Sequence, residues 1–213
     1  MMLKNYKLIL ITAVITTAII VLAFVTGTFY PNKWTKQKIE KIFHKAEVKE
    51  ATYLGFAQPE FDYNDKKTFI EATGKCVDFL NFTTDRMNRV PTSIIIAMAG
   101  IESAWGKSRF AVEGNALFGV RTWDMTVPHM KPQDLPDADF GVKKYDTKCD
   151  SVKDTIRILN THPAYEKFRH EREKQLDAGK WNYQQLLKGI TAWSTNPRYI
   201  EIIWIAIVDN NLP

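Results

Sequence analysis

The stretch that decides the fold is PTSIIIAMAGIESAWGKSRFAVEGNALFGV, Pro91–Val120. Pro91 interrupts what precedes it and introduces Thr92, the first residue of a strongly apolar helix. Ile94, Ile95, Met98, Ile101 and Trp105 recur at the spacing of a buried helical stripe. Gly106 stands where a C-terminal cap belongs, so the helix is expected to reach Trp105. Ser108 can then cap a short second helix running to Val112. Glu102 sits inside the apolar stripe. A carboxylate there is costly to desolvate unless it is paired or hydrogen-bonded. Desolvation also raises its pKa, which suits a group that carries a proton at neutral pH. The helix pattern leaves one alternative open, a Glu at the edge of the stripe that reaches water.

Working outward, the helical period persists. Phe69, Ala72, Cys76, Phe79, Leu80 and Met87 mark an amphipathic helix upstream. Downstream, Asp150 or Ser151 can cap a helix carrying Val152, Ile156 and Leu159. Pro163 opens another, with Tyr165 and Phe168, that stops near Gly179. Two more are expected around Tyr183–Trp193 and Pro197–Asp209. Between Val120 and Tyr145 the pattern changes to prolines, threonines and the short β-prone runs VRTW and FGVKKY, which predicts an irregular hairpin or small β-lobe. The unit is mainly α with one β insertion.

The N-terminus differs. Leu8–Tyr30 reads LILITAVITTAIIVLAFVTGTFY, 23 uncharged residues. That is enough to cross ~30 Å of hydrocarbon as a helix. A removable signal peptide has a shorter apolar core of ~7–15 residues and a small-residue cleavage site, so an uncleaved anchor is expected. Residues 31–65 are polar and lysine-rich, a spacer with a helical stretch around Lys36–Ala46. The folded domain is expected over 66–213. Lys4 and Lys7 precede the span, while Lys33, Lys36, Lys38, Lys41 and Lys45 follow it. By the positive-inside rule this distribution favours a cytoplasmic C-terminal domain.

Composition excludes some classes. The net charge is +5; removing Lys4 and Lys7 takes Lys+Arg from 29 to 27 against 24 acids, a net +3. That is too little for a dedicated nucleic-acid binder, and no basic stripe with interleaved aromatics is present. The two cysteines, Cys76 and Cys149, lack metal spacing. They are either one disulfide or two separate buried thiols. His129 and His162 stand alone, so no metal site is expected.

Several motifs in order carry a resemblance. Glu102, Ser103, Trp105 and Gly106, then Asn115, Leu117, Phe118 and Gly119, match Glu-Ser-x-Trp-Gly followed by Asn-x-Leu-Phe-Gly. With YDTKCDSVKDTIRILNTHPAYEKFR (Tyr145–Arg169) and WSTNPRYIEII (Trp193–Ile203), the chain resembles the bacterial β-N-acetylglucosaminidase family of flagellar wall-cutting enzymes and Bax-type proteins. The resemblance runs from about Lys66 to the C-terminus. It implies a lysozyme-like α domain with a cleft between helices and β-lobe, preceded here by the transmembrane helix. It implies Glu102 as general acid, no organic cofactor, and peptidoglycan strands of alternating GlcNAc and MurNAc as substrate. It also requires the domain to lie in the periplasm or outside the cell, against the lysine distribution. Trp193, Tyr199, Asn115, Phe118 and Trp123 become substrate-contact candidates. Against that, Asn115 better suits holding a turn before Leu117 and Phe118, and Phe118 better suits the core.

Two departures matter. Relatives often carry an acid on the β-lobe where this chain has Gly141. Nearby acids are Asp124, Asp134, Asp137 and Asp139, and Asp139, just before the strand, is the candidate second acid. Trp193 stands where many relatives have Tyr, so any role of that hydroxyl must be absent or moved to Tyr199. Two competing functions follow, a lytic transglycosylase and a catalytically silent wall-binding or assembly factor. Transglycosylases of this fold carry Gly-x-Met-Gln after the Glu helix, where this chain has Asn-Ala-Leu-Phe-Gly.

Overall fold

The computed structural model describes residues 2–29 and 32–213, with side chains over 6–26 and 32–213. Tyr30 and Pro31, the expected end of the span and start of the spacer, lie outside the described residues. The chain divides into two units, Met1–Leu54 and Gly55–Pro213.

In the first unit, helix α1 covers Met2–Phe29. Its apolar run Tyr6–Thr26 is long enough to cross a membrane. Thr12, Thr16, Thr17 and Thr26 each return their hydroxyl to the carbonyl four residues earlier, so these polar groups do not need water. Helix α2 spans Lys33–Tyr53, further than the expected Lys36–Ala46, and is capped by Asn32 on the Thr35 N–H.

The second unit assembles around α4 (Thr92–Glu102), in which every residue from Ser93 to Gly100 is buried. A helix apolar on all sides needs neighbours on all sides. It packs against α3 (Lys66–Thr83) and α9 (Tyr199–Asp209). Helix α5 (Arg109–Gly114) follows after Ser108, which caps it as expected. Helices α6 (Lys148–Thr161), α7 (Glu166–Ala178) and α8 (Tyr183–Leu187) complete the helical part. Phe69, Met98, Leu117, Phe168, Leu187 and Ile203 are fully buried in one shared core.

Several boundaries differ from the sequence expectation. Met87 lies beyond α3, in a 3-10 turn at Arg86–Asn88. Helix α4 ends at Glu102, three residues before Trp105. Helix α6 is capped by Thr147, whose hydroxyl pairs reciprocally with Asp150 in a capping box, so Asp150 is the box partner and not the cap. The expected helix over Tyr183–Trp193 breaks into α8 and a 3-10 segment, Lys188–Trp193. The chain before Lys66 also packs on this unit. Phe56 meets Phe79 and Phe82, and Tyr63 meets Phe69 edge-on and donates to the Gly106 carbonyl at 2.7 Å.

The β-lobe is a three-stranded antiparallel sheet rather than a hairpin. Strands β1 (Arg121–Thr122), β2 (His129–Met130) and β3 (Gly141–Lys143) lie in the order β1-β3-β2. Asp154 of α6 holds its central strand: it accepts from Lys143 (3.1 Å) and Tyr145 (2.9 Å) while Arg157 pairs with its other oxygen (2.7 Å). Burial would raise the Asp154 carboxyl, but these three donors outweigh it and hold it below the ordinary value.

Cys76 of α3 and Cys149 of α6 form a disulfide across 73 residues of chain. Closing a loop of that length removes about 4 kcal/mol of unfolded-state entropy. Cys76→Ser/Cys149→Ser, or reduction of the wild type, is expected to lower Tm by roughly 8 °C or more. An unchanged midpoint in a circular-dichroism melt would show that the cross-link contributes nothing.

Candidate active site

Glu102 owes its position to an abrupt end of α4. The backbone turns left-handed at Ala104, Trp105 and Gly106, with φ of 52°, 56° and 82°. For the two non-glycine residues this costs about 1–3 kcal/mol each. Local bonds hold the turn. The buried Ser103 hydroxyl accepts from the Gly106 N–H (2.8 Å) and donates back to the Ala99 carbonyl. The Trp105 N–H donates to Gly100 O at 2.7 Å. Trp105 folds back over Gly100, where an added Cβ would lie 2.6 Å from its ring. Lys66 covers the indole at 4.2 Å. Trp105 is thus a structural ring. The Glu-Ser-x-Trp-Gly string encodes a turn that leaves Glu102 as the last helical residue.

Glu102 opens into a cleft of about 550 Å³. Phe118, Trp123, Tyr165 and Trp193 supply aromatic walls, and Arg121 and His162 supply polar groups. Tyr199, the first residue of α9, donates its hydroxyl to Glu102 Oε1 at 2.7 Å. Burial raises the Glu102 carboxyl above its ordinary value, and hydrogen bonding from Tyr199 and, in smaller measure, Trp193 offsets only part of this. The C-terminal end of α4 adds to the bias, because a helix C-terminus disfavours an anion. Tyr199 is itself pushed far above the usual tyrosine range by burial and by Glu102, so it remains a donor. The arrangement is a carboxyl with raised proton affinity and a fixed orientation.

The expected site residues separate into two groups. Glu102, Phe118, Trp123 and Trp193 line the cleft together, and Tyr199 lies beneath them against Glu102. Phe118 is buried, with its ring edge-on to Trp193 at 6.3 Å, whereas Trp123 is 62% exposed. Asn115 is outside the lining. It takes a left-handed φ of 51° after α5, donates to the Tyr145 and Asp146 carbonyls, and accepts from Lys148. Asp139 is exposed and is also outside the lining. So are Asp134 and Asp137. Asp124 is turned onto Thr126, whose hydroxyl and N–H hold its carboxyl below the usual value. Gly141 explains itself sterically, since an added Cβ would lie 2.5 Å from the His129 ring.

Sequence reading missed Arg121, Tyr165 and His162. His162 accepts the Ala164 N–H on Nδ1, which leaves its neutral ring carrying the proton on Nε2. The one local signal was its place before Pro163, at the junction of two helices.

The family profile described as mannosyl-glycoprotein endo-beta-N-acetylglucosaminidase matches residues 83–212. The chain belongs to the glucosaminidase family. The match includes Glu102, Tyr199 and every lining residue of the cleft. Protein bax of Escherichia coli is 35% identical over 94 residues, 43% of this chain. The chain spans about a third (32%) of the length of that relative. Among solved structures, the catalytic domain of the autolysin Auto from Listeria monocytogenes aligns with a TM-score of 0.53 at 20% identity, covering 79% of this chain and 94% of that one. A peptidoglycan hydrolase from Sphingomonas sp. A1 gives 0.51 at 20% identity, covering 70% and 90%. Both share the fold of this chain, which is mainly helical with a small sheet.

A carboxyl held above its unfolded value stabilises the fold while protonated. That contribution is present below the ordinary value of 4.5 and is lost as pH rises through the folded value. Glu102→Gln stays neutral throughout. It is expected to melt above wild type near about pH 8. The difference should close below about pH 4, where both side chains are neutral. A variant that melts at or below wild type throughout the pH range would contradict this reading of the site.

Proposed function

We propose that the chain is a membrane-anchored endo-β-N-acetylglucosaminidase that hydrolyses β-1,4 bonds in the GlcNAc–MurNAc strands of peptidoglycan, with Glu102 as general acid. One observation carries the proposal: a carboxyl oriented by Tyr199 and lining an aromatic-walled cleft, its proton affinity raised by burial. A glycosidic oxygen leaves poorly until it is protonated, and a carboxylic acid in a partly apolar cleft is the usual donor. Exposed Trp123 suits stacking on a sugar face. Arg121 suits a polymer that carries carboxylates. The relatedness to wall hydrolases in fold, and to the glucosaminidases in sequence, supports the substrate class.

Among the described residues lining the cleft, Glu102 is the one carboxylate. Retaining enzymes with two carboxylates place them ~5–5.5 Å apart, whereas others use the substrate's own acetamido oxygen as nucleophile. The lining favours the second route. The acetamido oxygen attacks the anomeric carbon as its bond to the leaving oxygen breaks, and the Glu102 proton passes to that oxygen. Water then attacks the cyclic intermediate and returns a proton to the Glu102 carboxylate. Tyr199 keeps the carboxyl aimed through both steps.

Glu102→Gln is expected to lose at least ~10²-fold in wall-clearing rate. Asp124, Asp134, Asp137 and Asp139, changed singly to Asn, should each stay within about tenfold, or ~1.4 kcal/mol in the barrier. An Asp variant as damaged as Glu102→Gln would reveal a second carboxylate. Products should end in reducing GlcNAc. Ends of 1,6-anhydro-MurNAc would make the protein a transglycosylase, and wild type that clears no embedded wall would make it a binder.

The same reading requires α1 to be an anchor with the domain outside the cytoplasm. The Cys76–Cys149 disulfide supports this, because such bonds persist in oxidising compartments. Alkaline phosphatase fused after Pro213 is expected to be active in cells, and β-galactosidase at the same point inactive. The reverse pattern would overturn both the topology and the wall substrate.

A further inference from the structure

Helix α2 has an apolar face that the catalytic reading does not use. Ile39, Ile42 and Phe43 lie on one side at helical spacing, with Ile42 and Phe43 61% and 66% exposed. Beside them runs a row of Lys38, Lys41, Lys45 and Lys49, repeating every three or four residues. The helix as a whole carries six lysines against three glutamates. Trp34, 67% exposed and covered by Lys38 at 5.0 Å, opens it. An apolar stripe flanked by lysines with an aromatic at one end is the pattern of a helix that lies in a lipid interface.

Chain connectivity makes the bilayer the natural occupant. Helix α2 starts four residues after α1 ends at Phe29. Four residues reach at most ~14 Å. If α1 spans, the start of α2 cannot leave the neighbourhood of the headgroups. The lysine row complements anionic phospholipid, and the apolar row can enter the acyl boundary. From this we infer that α2 is an interfacial helix that binds the anionic leaflet surface on the side where the domain emerges, an inference that rests on the membrane-anchor part of the proposed function. It also gives the lysines after the span a role other than fixing orientation. Phe56 and Tyr63, which already pack on the domain, follow α2 closely.

The test uses the full chain in vesicles, with an environment-sensitive NBD label on Ile42→Cys or on Gln37→Cys, which lies about 120° or more around α2 from Ile39, Ile42 and Phe43. Native Cys76 and Cys149 are bonded to each other and do not take the label. In vesicles containing phosphatidylglycerol, the label at 42 should emit further to the blue and be quenched by aqueous iodide about threefold less than the label at 37. Neutral phosphatidylcholine, or Lys38, Lys41, Lys45 and Lys49 changed together to Gln, should reduce that difference. Equal quenching at both positions, or protection at 42 indifferent to lipid charge and to the lysines, would overturn the inference. Protection that disappears as protein is diluted in lipid would assign the face to a second copy and overturn it equally. Flotation after a carbonate wash separates the two readings. A chain that fails to float loses both anchor and interfacial helix, and one that floats with position 42 wet loses only the latter.

Discussion

The hydrogen bond from Tyr199 to Glu102 joins the first residue of α9 to the last residue of α4, and the site depends on that junction. The inward residues Ile203 and Ile207 of α9 fill the core against α4 and set the height at which Tyr199 arrives. The left-handed turn at Ala104–Gly106 does the complementary work, since a continued helix would carry the chain on through the space the cleft occupies. Two costs are thus accepted in one place, backbone strain and a desolvated acid, and the large apolar core of α4 offsets both.

The opposite wall is held by different physics. Sheet strands of two or three residues bury little, so the β-lobe cannot rely on hydrophobic packing. Asp154 compensates by tying β3 to α6 through Lys143 and Tyr145, and Asn115 ties the return of the chain to the end of α5. The disulfide fixes α6 to α3. A floor built on apolar packing therefore faces a wall built on polar clamps, and the wall is the part whose rigidity depends on ionisation.

How much of this could be read from residues alone follows the range of the forces. The apolar period of α4 and the anomaly of Glu102 within it are local, and both were legible, as were the mainly helical class and the cap at Ser108. The turn after Glu102 was not, because Ala104 and Trp105 carry no sign of a positive φ, which is imposed by Ser103 and by Trp105 on Gly100. Thr147 could have been found, since TKCD is a capping box with Asp in place of Glu. Strand β2 could not, as two residues make no period. The Tyr199 contact spans 97 residues. It entered as a candidate from motif similarity, and no local rule identifies it. Arg121, Tyr165 and His162 meet in the cleft for the same long-range reason.

His129 and Gly141 carry a consequence for how such a domain changes over generations. The imidazole occupies the volume that any side chain at 141 would need, with its own Nδ1 tied to the Val127 carbonyl at 2.8 Å. Neither position can therefore drift alone. A larger residue at 141 is blocked until 129 shrinks, and shrinking 129 first opens a hole beside β3. The two sites are sterically linked, and an acid at that point of the sheet requires the ring at 129 to move or shrink with it.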